Sequence, residues 1–475
     1  MPSFTVKVKW GKEIFNSIEV NNDEEPLVFK AQLYALTGVQ PERQKVMCKG
    51  CVLKDDEWNM QLKDGLTILL LGTKEEVPKE PVEKTLFVED MNESELATAL
   101  ELPAGLSNLG NTCYMNAVVQ CLKSVPELSD TLQNFDDNIS LNLSAPSTSI
   151  TAALKLLFRE MDKEKTVTPI LFVQTMHLAF PQFAQTGENG TYRQQDASEC
   201  WSELLKMLQQ KLPPKDSTEA KKYNSFIEQF FGGKFQVTMK CDEAPEEPVK
   251  VSEETFLQLN CFISSEVKYM HNGVKSKLKE TLTKNSESLG RDALYTKSSL
   301  INRLPAYLTV QFVRFEYKGK EGINAKILKD IKFSLDFDVF EMCTPALQKK
   351  LTPMREKFKE VEDRKLFNKG NSSVNNEKKV ESYENYWFDD DFGSNNSGYY
   401  TLQAVLTHKG RSSSSGHYVA WVKQKSGSWV KFDDDMVSSV TEEEILRLSG
   451  GGDWHCAYVL LYGPKLLEKT EEKAV

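Results

Sequence analysis

The chain has 475 residues, 40% of them hydrophobic and 27% charged, with a formal net charge of −10. That length exceeds one ordinary domain, so a small module beside a larger one is expected. The acidic balance argues against nucleic-acid binding and favours a partner with basic side chains; the longest apolar runs, such as residues 68–71, are too short to insert in a membrane.

In chain order, residues 4–10 alternate (Phe4, Val6, Val8, Trp10), Gly11-Lys12 turns the chain, and Ile14, Ile18 and Val20 mark a returning strand. Val28, Phe29, Leu33, Tyr34 and Leu36 recur at helical spacing over 26–37. Short strands over 44–47 and 66–71 lie either side of a polar stretch at 54–57. A hairpin, a helix and further short strands form the β-grasp order, and residues 1–74 resemble ubiquitin as an integral ubiquitin-like domain. The last strand runs into Gly72-Thr73-Lys74 without a diglycine end, so this copy is expected to dock a partner, not to be conjugated. Cys48 and Cys51 have Cys-x-x-Cys spacing, but no second pair lies near to close a zinc site. They read as residues flanking a turn.

Residues 75–95 are charged and carry Pro78 and Pro81, the composition of a flexible acidic linker. A larger domain is expected over 96–466, interrupted by a polar loop at 213–224 and a longer polar insertion at about 345–397. Leu347, Leu351, Met354, Phe358 and Val361 give the first half of that insertion helical spacing. Its middle, 368–379, reads as disordered, and 467–475 as a loose tail. The nine cysteines are scattered, and Met1 to Lys7 shows no charged segment leading into an apolar one. Reduced thiols and a cytoplasmic location, with the nucleus also open, are therefore expected.

Cys113 follows small and turn-forming residues and precedes the apolar-periodic Met115, Val118, Val119 and Leu122. The pattern puts a thiol at a helix N-terminus, where backbone dipoles favour the thiolate; Asn108 and Asn111 add amide donors near an oxyanion. A small buried filler is the other reading of a lone cysteine. The five histidines make the search for a base short. His177 lies in an apolar helical segment, His271 in a polar turn, and His408 and His455 in strand-like stretches that suit structural hydrogen bonds. His417 differs, because a Gly/Ser loop at 410–416 runs into it and the alternating strand 417–422 begins there. With a turn at Ser426-Gly427 and a second strand at 429–433, Asp433 falls opposite Val419, one diagonal step from His417. There it can accept from one imidazole nitrogen and leave the other for a thiol, although Asp433-Asp434-Asp435 could equally cap the hairpin.

Taken together, these segments resemble the ubiquitin-specific proteases. Gly105-Leu-Ser-Asn-Leu-Gly-Asn-Thr-Cys113-Tyr-Met-Asn is similar to their cysteine box. Gly416-His417-Tyr418-Val419 through Phe432-Asp433-Asp434-Asp435, with Ala457 to Tyr462, is similar to their histidine box. Gln194-Gln195-Asp196-Ala197-Ser198-Glu199 and the leucine-proline segment at 304–315 lie between them in the family order. With the ubiquitin-like module, the architecture resembles the proteasome-associated members. The resemblance implies an α+β chain: a β-grasp ubiquitin-like domain, then a papain-like cysteine protease of thumb, palm and fingers that cuts after ubiquitin's C-terminal glycine. It implies Cys113 as nucleophile, His417 as base, Asp433 as orienting acid and Asn108 in the oxyanion hole. Asp196 would receive basic groups of ubiquitin's tail, Gln195 would bond nearby backbone, and Tyr418 and Tyr458 would wall a diglycine channel. No cofactor is implied. No zinc is expected, since the fingers region has only Cys241 and Cys261, and Cys121 and Cys200 read as core. Val313-Arg314-Phe315 stands where Lys-Arg-Phe is common in the family, a mild surface change.

The implied partners are ubiquitin, ubiquitinated proteins and the 26S proteasome regulatory particle, bound through the ubiquitin-like domain by a chain that is monomeric when free. The loop Ser412, Ser413, Ser414, Ser415 and the turn over 317–324, with Lys318 and Gly319, lie where ubiquitin's tail must enter. They are expected to cover the cleft until the proteasome is bound; a plain connector and phosphorylated serines are the other readings of the serine run. A non-catalytic ubiquitin-binding adaptor and a protease for another ubiquitin-like modifier also remain open at this stage.

Overall fold

The computed structural model describes residues 3–74, 102–135, 145–187, 190–215, 222–318, 323–369, 382–412, 415–452 and 454–469. The chain divides into two compact units, 1–90 and 91–475. The expected linker at 75–95, the loop residues 216–221 and the segment 370–381 lie outside the described residues.

In the first unit, Ser3–Trp10 pairs antiparallel with Glu13–Asn21 and parallel with Thr67–Leu71. Lys45–Cys48 then pairs with Thr67–Leu71 and with Cys51–Val52. Side chains alternate across a strand, so Val6, Val8, Ile68 and Leu70 turn inward onto Phe29 and Leu33 of the helix Pro26–Thr37. Pro26 starts that helix, and Gly38, at φ 72°, ends it by donating to the Tyr34 carbonyl. This is the expected β-grasp. Cys48 and Cys51 face each other across a tight turn, the first buried and the second exposed.

The second unit is built on one large sheet. Its central order is Leu259–Phe262, Leu308–Val313, Cys456–Pro464, Tyr399–Ser412, Ser415–Lys423, Trp429–Asp433 and Met436–Val440. Every residue of Cys456–Pro464 is buried, as suits a strand covered on both faces. One face, through Leu406, Tyr418, Ala420 and Phe432, packs on the helices Cys113–Lys123 and Ala197–Lys211, the thumb. The other face, through Val405, Val419, Trp421 and Leu460, covers a separate core with Ile331, Phe337 and Leu448. Gly233–Cys241, Lys250–Phe256, Lys279–Ser286 and Arg291–Arg303 form a four-stranded sheet, the fingers.

The polar insertion is less loose than its composition suggests. Its first half is the helix Pro345–Lys369, which buries Leu347, Leu351 and Phe358 and continues into the stretch expected to be disordered. Residues 382–397 are packed, because each buried polar group finds a partner. Tyr386 donates to Glu127 at 2.7 Å, as does Tyr307 at 2.5 Å. Asp391 accepts from Arg303 twice at 3.0 Å and from Tyr223 at 2.6 Å. Burial pushes the Asp391 carboxyl up, but the Arg303 guanidinium outweighs it and holds the group below its usual range. Arg303 also donates to the carbonyls of Gln229 and Gly232, joining thumb, fingers and insertion. The tail is corrected likewise: Leu467 is buried, and Leu467 and Lys469 hydrogen-bond through their backbones to Glu384 and Ser382. Residues 470–475 lie outside the described residues.

Removing one partner of a buried ion pair strands the other charge, at a cost of about 3–5 kcal/mol. Arg303→Ala is expected to lower the stability of the larger unit by that amount in urea unfolding followed by tryptophan fluorescence. A loss below ~1 kcal/mol would contradict the role given to Arg303.

Candidate active site

Residues 108–112 form the turn that delivers Cys113. The Asn108 side-chain oxygen Oδ1 accepts from the backbone N–H groups of Gly110 at 2.9 Å and Thr112 at 3.2 Å. Gly110 and Asn111 take left-handed conformations at φ 96° and 56°, and Thr112 Oγ1 accepts from Leu109 N–H at 2.9 Å. Cys113 thereby becomes the first residue of the helix Cys113–Lys123 and is 2% exposed. The Asn111 amide does not face an oxyanion position; it donates to the Tyr192 carbonyl at 2.8 Å. Cys121 and Cys200 are buried, and burial drives both thiols far above their usual range.

The hairpin register is the expected one. Ala420 pairs with Phe432, which sets Val419 against Asp433, and His417 Nε2 lies 2.6 Å from Asp433 Oδ1. The Cys113 thiol lies within electrostatic reach of the same imidazole. The His417 pKa is raised to about 10, first by the Asp433 hydrogen bond and then by the Cys113 thiol. The Asp433 carboxyl is correspondingly held well below its usual value, chiefly by His417 and further by Lys431 at 2.8 Å. Gly416, at φ 120°, sets the base in place: a Cβ there would stand 2.1 Å from the Lys409 carbonyl oxygen.

Asp434 has no assignment in the sequence reading, yet it ties the two halves of the site together. Its carboxylate accepts from Asn108 Nδ2 and from Asn116 Nδ2, each at 2.8 Å, and its carbonyl accepts from Leu106 N–H at 2.9 Å. It takes a left-handed φ of 57° to do so. Gly105 lies close beneath, where a Cβ would be 2.5 Å from the Asp435 carbonyl oxygen. Asn116, one helical turn after Cys113, was visible in the cysteine box but carried no assigned role.

The expected tail-binding residues cluster, with corrections. Gln195 donates to the Gln182 carbonyl at 2.8 Å. The Asp196 carboxylate is already engaged: it caps the helix Ala197–Lys211 by accepting from Ser198 N–H at 2.7 Å, and both its oxygens lie 2.8 Å from the Tyr458 hydroxyl. Burial raises its pKa. Tyr418 and Tyr458 do not wall an open channel, being 1% and 3% exposed with ring centroids 6.3 Å apart. Strand alternation turns Tyr418 into the thumb-facing core, and Phe315 stands edge-on to Tyr458 at 5.2 Å and to His408 at 5.4 Å.

Phe315–Lys318 and Ile323–Lys326 form a hairpin held to Tyr399–Ser412 by the Ala325–Ser412 pair and by Lys326 Nζ donating to the His408 carbonyl. Ser412 pairs with Ser415 across the neighbouring turn. Gly319, Ser413, Ser414 and the Lys318 side chain lie outside the described residues. Arg314 is fully buried and donates to the carbonyls of Ala457, Ile327, Lys329 and Ser449. It anchors the base of this hairpin.

The remaining histidines are placed in the structure, not in the triad. His408 and His455 are buried and lowered to about 3 and about 4 by burial, His177 packs on Tyr192, and His271 faces Glu341. Among the described residues, one group has metal-ligand proximity: His417, Asp433 and Asp434. Their atoms are spoken for by Lys431, Asn108, Asn116 and one another. Cys241 and Cys261 sit in separate cores.

A family model described as ubiquitin carboxyl-terminal hydrolase matches residues 104–462. Ubiquitin carboxyl-terminal hydrolase 7 of Arabidopsis thaliana is 44% identical across 98% of this chain and 99% of its own length. Ubiquitin carboxyl-terminal hydrolase 14 of Caenorhabditis elegans is 38% identical across 98% and 94%. Among solved structures, the SAGA Ubp8/Sgf11/Sus1/Sgf73 DUB module bound to ubiquitin aldehyde is similar over 79% of this chain and 74% of that chain, with a TM-score of 0.53 and 20% identity. At that identity the likeness carries the fold alone.

Because Asp433 is the largest cause of the raised His417 pKa, Asp433→Asn is expected to lower it toward the ordinary histidine value of about 6.5. Histidine-selective NMR titration of the two proteins would read this directly. A His417 titration left near 10 in the variant would contradict the assignment.

Proposed function

The chain belongs to the ubiquitin carboxyl-terminal hydrolase family and is a cysteine-type deubiquitinase, and from that premise we propose how its residues perform the cut and what governs it. The observation that carries the reading is one imidazole held by Asp433 at 2.6 Å with the Cys113 thiol within electrostatic reach. Cys113 passes its proton to His417, and the thiolate attacks the carbonyl carbon of ubiquitin's terminal glycine. Asp433 holds the ring and stabilises the imidazolium. Asn108 has one amide hydrogen committed to Asp434 and a second to offer the tetrahedral oxyanion, beside the backbone N–H of Cys113. His417 then protonates the departing amine as the C–N bond breaks, leaving a thioester. Water, deprotonated by His417, attacks the thioester and frees ubiquitin's carboxylate and the thiol. Gln195, Asp196, Tyr418 and Tyr458 would hold the tail, with Asp196 exchanging its Tyr458 contact for a basic group of ubiquitin.

We further propose that the free enzyme is covered and that proteasome binding through the ubiquitin-like domain opens it. The buried tyrosines, the occupied Asp196 and Phe315 over Tyr458 support closure. Leu69, Leu71 and Val52 lie exposed on the ubiquitin-like unit, an apolar surface of the kind that docks proteins. The resemblance to proteasome-associated members supports the partner, and the scattered cysteines support a cytoplasmic location with the nucleus also open. A ligand shifts such an equilibrium only by its differential affinity for the two states. An adaptor needs no such triad, and the arrangement of Cys113, His417, Asp433 and Asn108 favours the enzyme.

Cys113→Ser is expected to abolish hydrolysis of a ubiquitin C-terminal amide, and wild-type turnover is expected to rise when 26S proteasomes are added. Equal turnover with and without proteasomes would overturn the gated reading but not the catalytic one. Aromatic contacts of this kind contribute about 0.5–1.5 kcal/mol beyond burial, so Phe315→Ala is expected to raise turnover by the free enzyme about two- to tenfold. Unchanged or lower turnover, with thermal stability retained, would contradict Phe315 as part of the cover.

A further inference from the structure

The helix Pro26–Thr37 of the ubiquitin-like unit is apolar on its outward face as well as its inward one. Pro26, Phe29, Lys30, Leu33 and Thr37 are its buried positions, and Phe29 and Leu33 meet the sheet. The opposite side of such a helix is ordinarily polar. Here Leu27, Val28, Tyr34 and Leu36 are between 43% and 48% exposed. Ala31 and Ala35 are exposed with them, and Gln32 is the one polar side chain on that face. At 3.6 residues per turn, Ala31 and Ala35 run between Leu27 and Tyr34 on one side and Val28 and Leu36 on the other. The face is therefore a shallow furrow walled by larger apolar side chains.

One end of the furrow is acidic. Asp23, Glu24 and Glu25 precede the helix, and the loop carrying Asp55, Asp56 and Glu57 is drawn against it. Lys30 pairs with Asp55, Trp58 Nε1–H donates to the Glu24 carbonyl at 2.7 Å, and the Trp58 ring stands 6.0 Å from that of Phe29. All six carboxylates belong to exposed residues. Lys30 and Lys54, the lysines of these two segments, are already paired with Asp55 and Glu57. Asp23, Glu24 and Glu25 make no salt bridge among the described residues. The furrow also lies away from the surface at Leu69 and Leu71. Ile68 and Leu70 turn inward onto the helix, so their neighbours on the strand point to the other side of the sheet.

We propose that this furrow is a second docking surface of the ubiquitin-like unit, and that its occupant is an amphipathic helix of another protein with lysines or arginines at one end. Apolar side chains spaced i, i+3, i+4 and i+7 on that helix would cover Leu27 to Leu36, with a ridge over the small Ala31 and Ala35. Its basic end would lie against Asp23, Glu24 and Glu25. The same carboxylates repel an anionic membrane surface and nucleic acid. Because the furrow and the Leu69 surface are on opposite sides of the unit, both can be filled at once, and the unit can hold two partners together.

The probe is a fluorescently labelled amphipathic helical peptide of about 18 residues, with leucines at that spacing and arginines at one end; a second peptide carries glutamates in their place. Binding to the full-length protein is read by fluorescence anisotropy. The arginine peptide is expected to saturate with a Kd on the order of 10–100 μM, as for a small interface. The glutamate peptide is expected to bind about tenfold more weakly at low salt, the size of a few exposed ion pairs, and the gap to close at high salt. Ala35→Glu, which puts a charge in the furrow at little cost in helix propensity, is expected to abolish binding. Asp23→Lys together with Asp56→Lys leaves the apolar furrow intact and is expected to reverse the preference between the peptides. Absence of binding by the arginine peptide, equal affinity for the two peptides, or a preference unchanged in the lysine variant would overturn the surface. Dimerisation of the protein in sedimentation velocity that Ala35→Glu removes would assign the furrow to a second copy of this chain and overturn the proposed occupant.

Discussion

Everything at the candidate site depends on one register. With Ala420 opposite Phe432, Val419 faces Asp433, and His417 sits a diagonal step from the acid that orients it. A slip of one residue would send His417 and Asp433 to opposite faces of the sheet. Gly416 is part of the same constraint, since any side chain there would strike the Lys409 carbonyl. The turn just past Asp433 then does a second job. Asp434 adopts a left-handed backbone, a conformation costing on the order of 1–3 kcal/mol in a non-glycine residue, and binds Asn108 and Asn116 on the nucleophile segment. The strand end that carries the acid is thus tied to the loop that carries the sulfur. The triad geometry follows from those ties more than from any direct contact between helix and acid.

Much of this was legible in the sequence because it is local. A two-strand hairpin with a Ser-Gly turn fixes its own pairing, so Asp433 could be set opposite Val419 by counting. The helix beginning at Cys113 and the β-grasp order were legible for the same reason, through period and turn residues. Asp434 was not, because its partner Asn116 lies 318 residues away and a third aspartate in a row reads as a cap. The burial of Tyr418 was not legible, because the motif names the residue but not how far it is covered. Residues 382–397 looked like a polar insertion because their polar groups satisfy one another and distant partners such as Glu127 and Arg303. Composition registers their polarity, not their burial.

The two faces of the Ser415–Lys423 strand divide the work. The thumb-facing side holds Tyr418, near Tyr458 and Asp196, packed shut beneath Phe315. The other side opens to solvent through a recess beside His417 lined in part by Lys409 and Lys431. A free enzyme built this way has its acid, base and sulfur already aligned. On the gated reading proposed above, what it lacks is an open channel for ubiquitin's tail, and the barrier to activity in the free chain is access. Preorganised catalytic groups beneath a movable cover also spare water-exposed thioester chemistry until a substrate is held.

The most direct test of this account is covalent capture by ubiquitin bearing a thiol-reactive group in place of its C-terminal carboxylate, with peptide mass spectrometry to locate the adduct. The account predicts a single adduct at Cys113, formed faster when proteasomes are present and slowed by Asp433→Asn. Modification at another cysteine, or no modification of Cys113 with proteasomes bound, would contradict it.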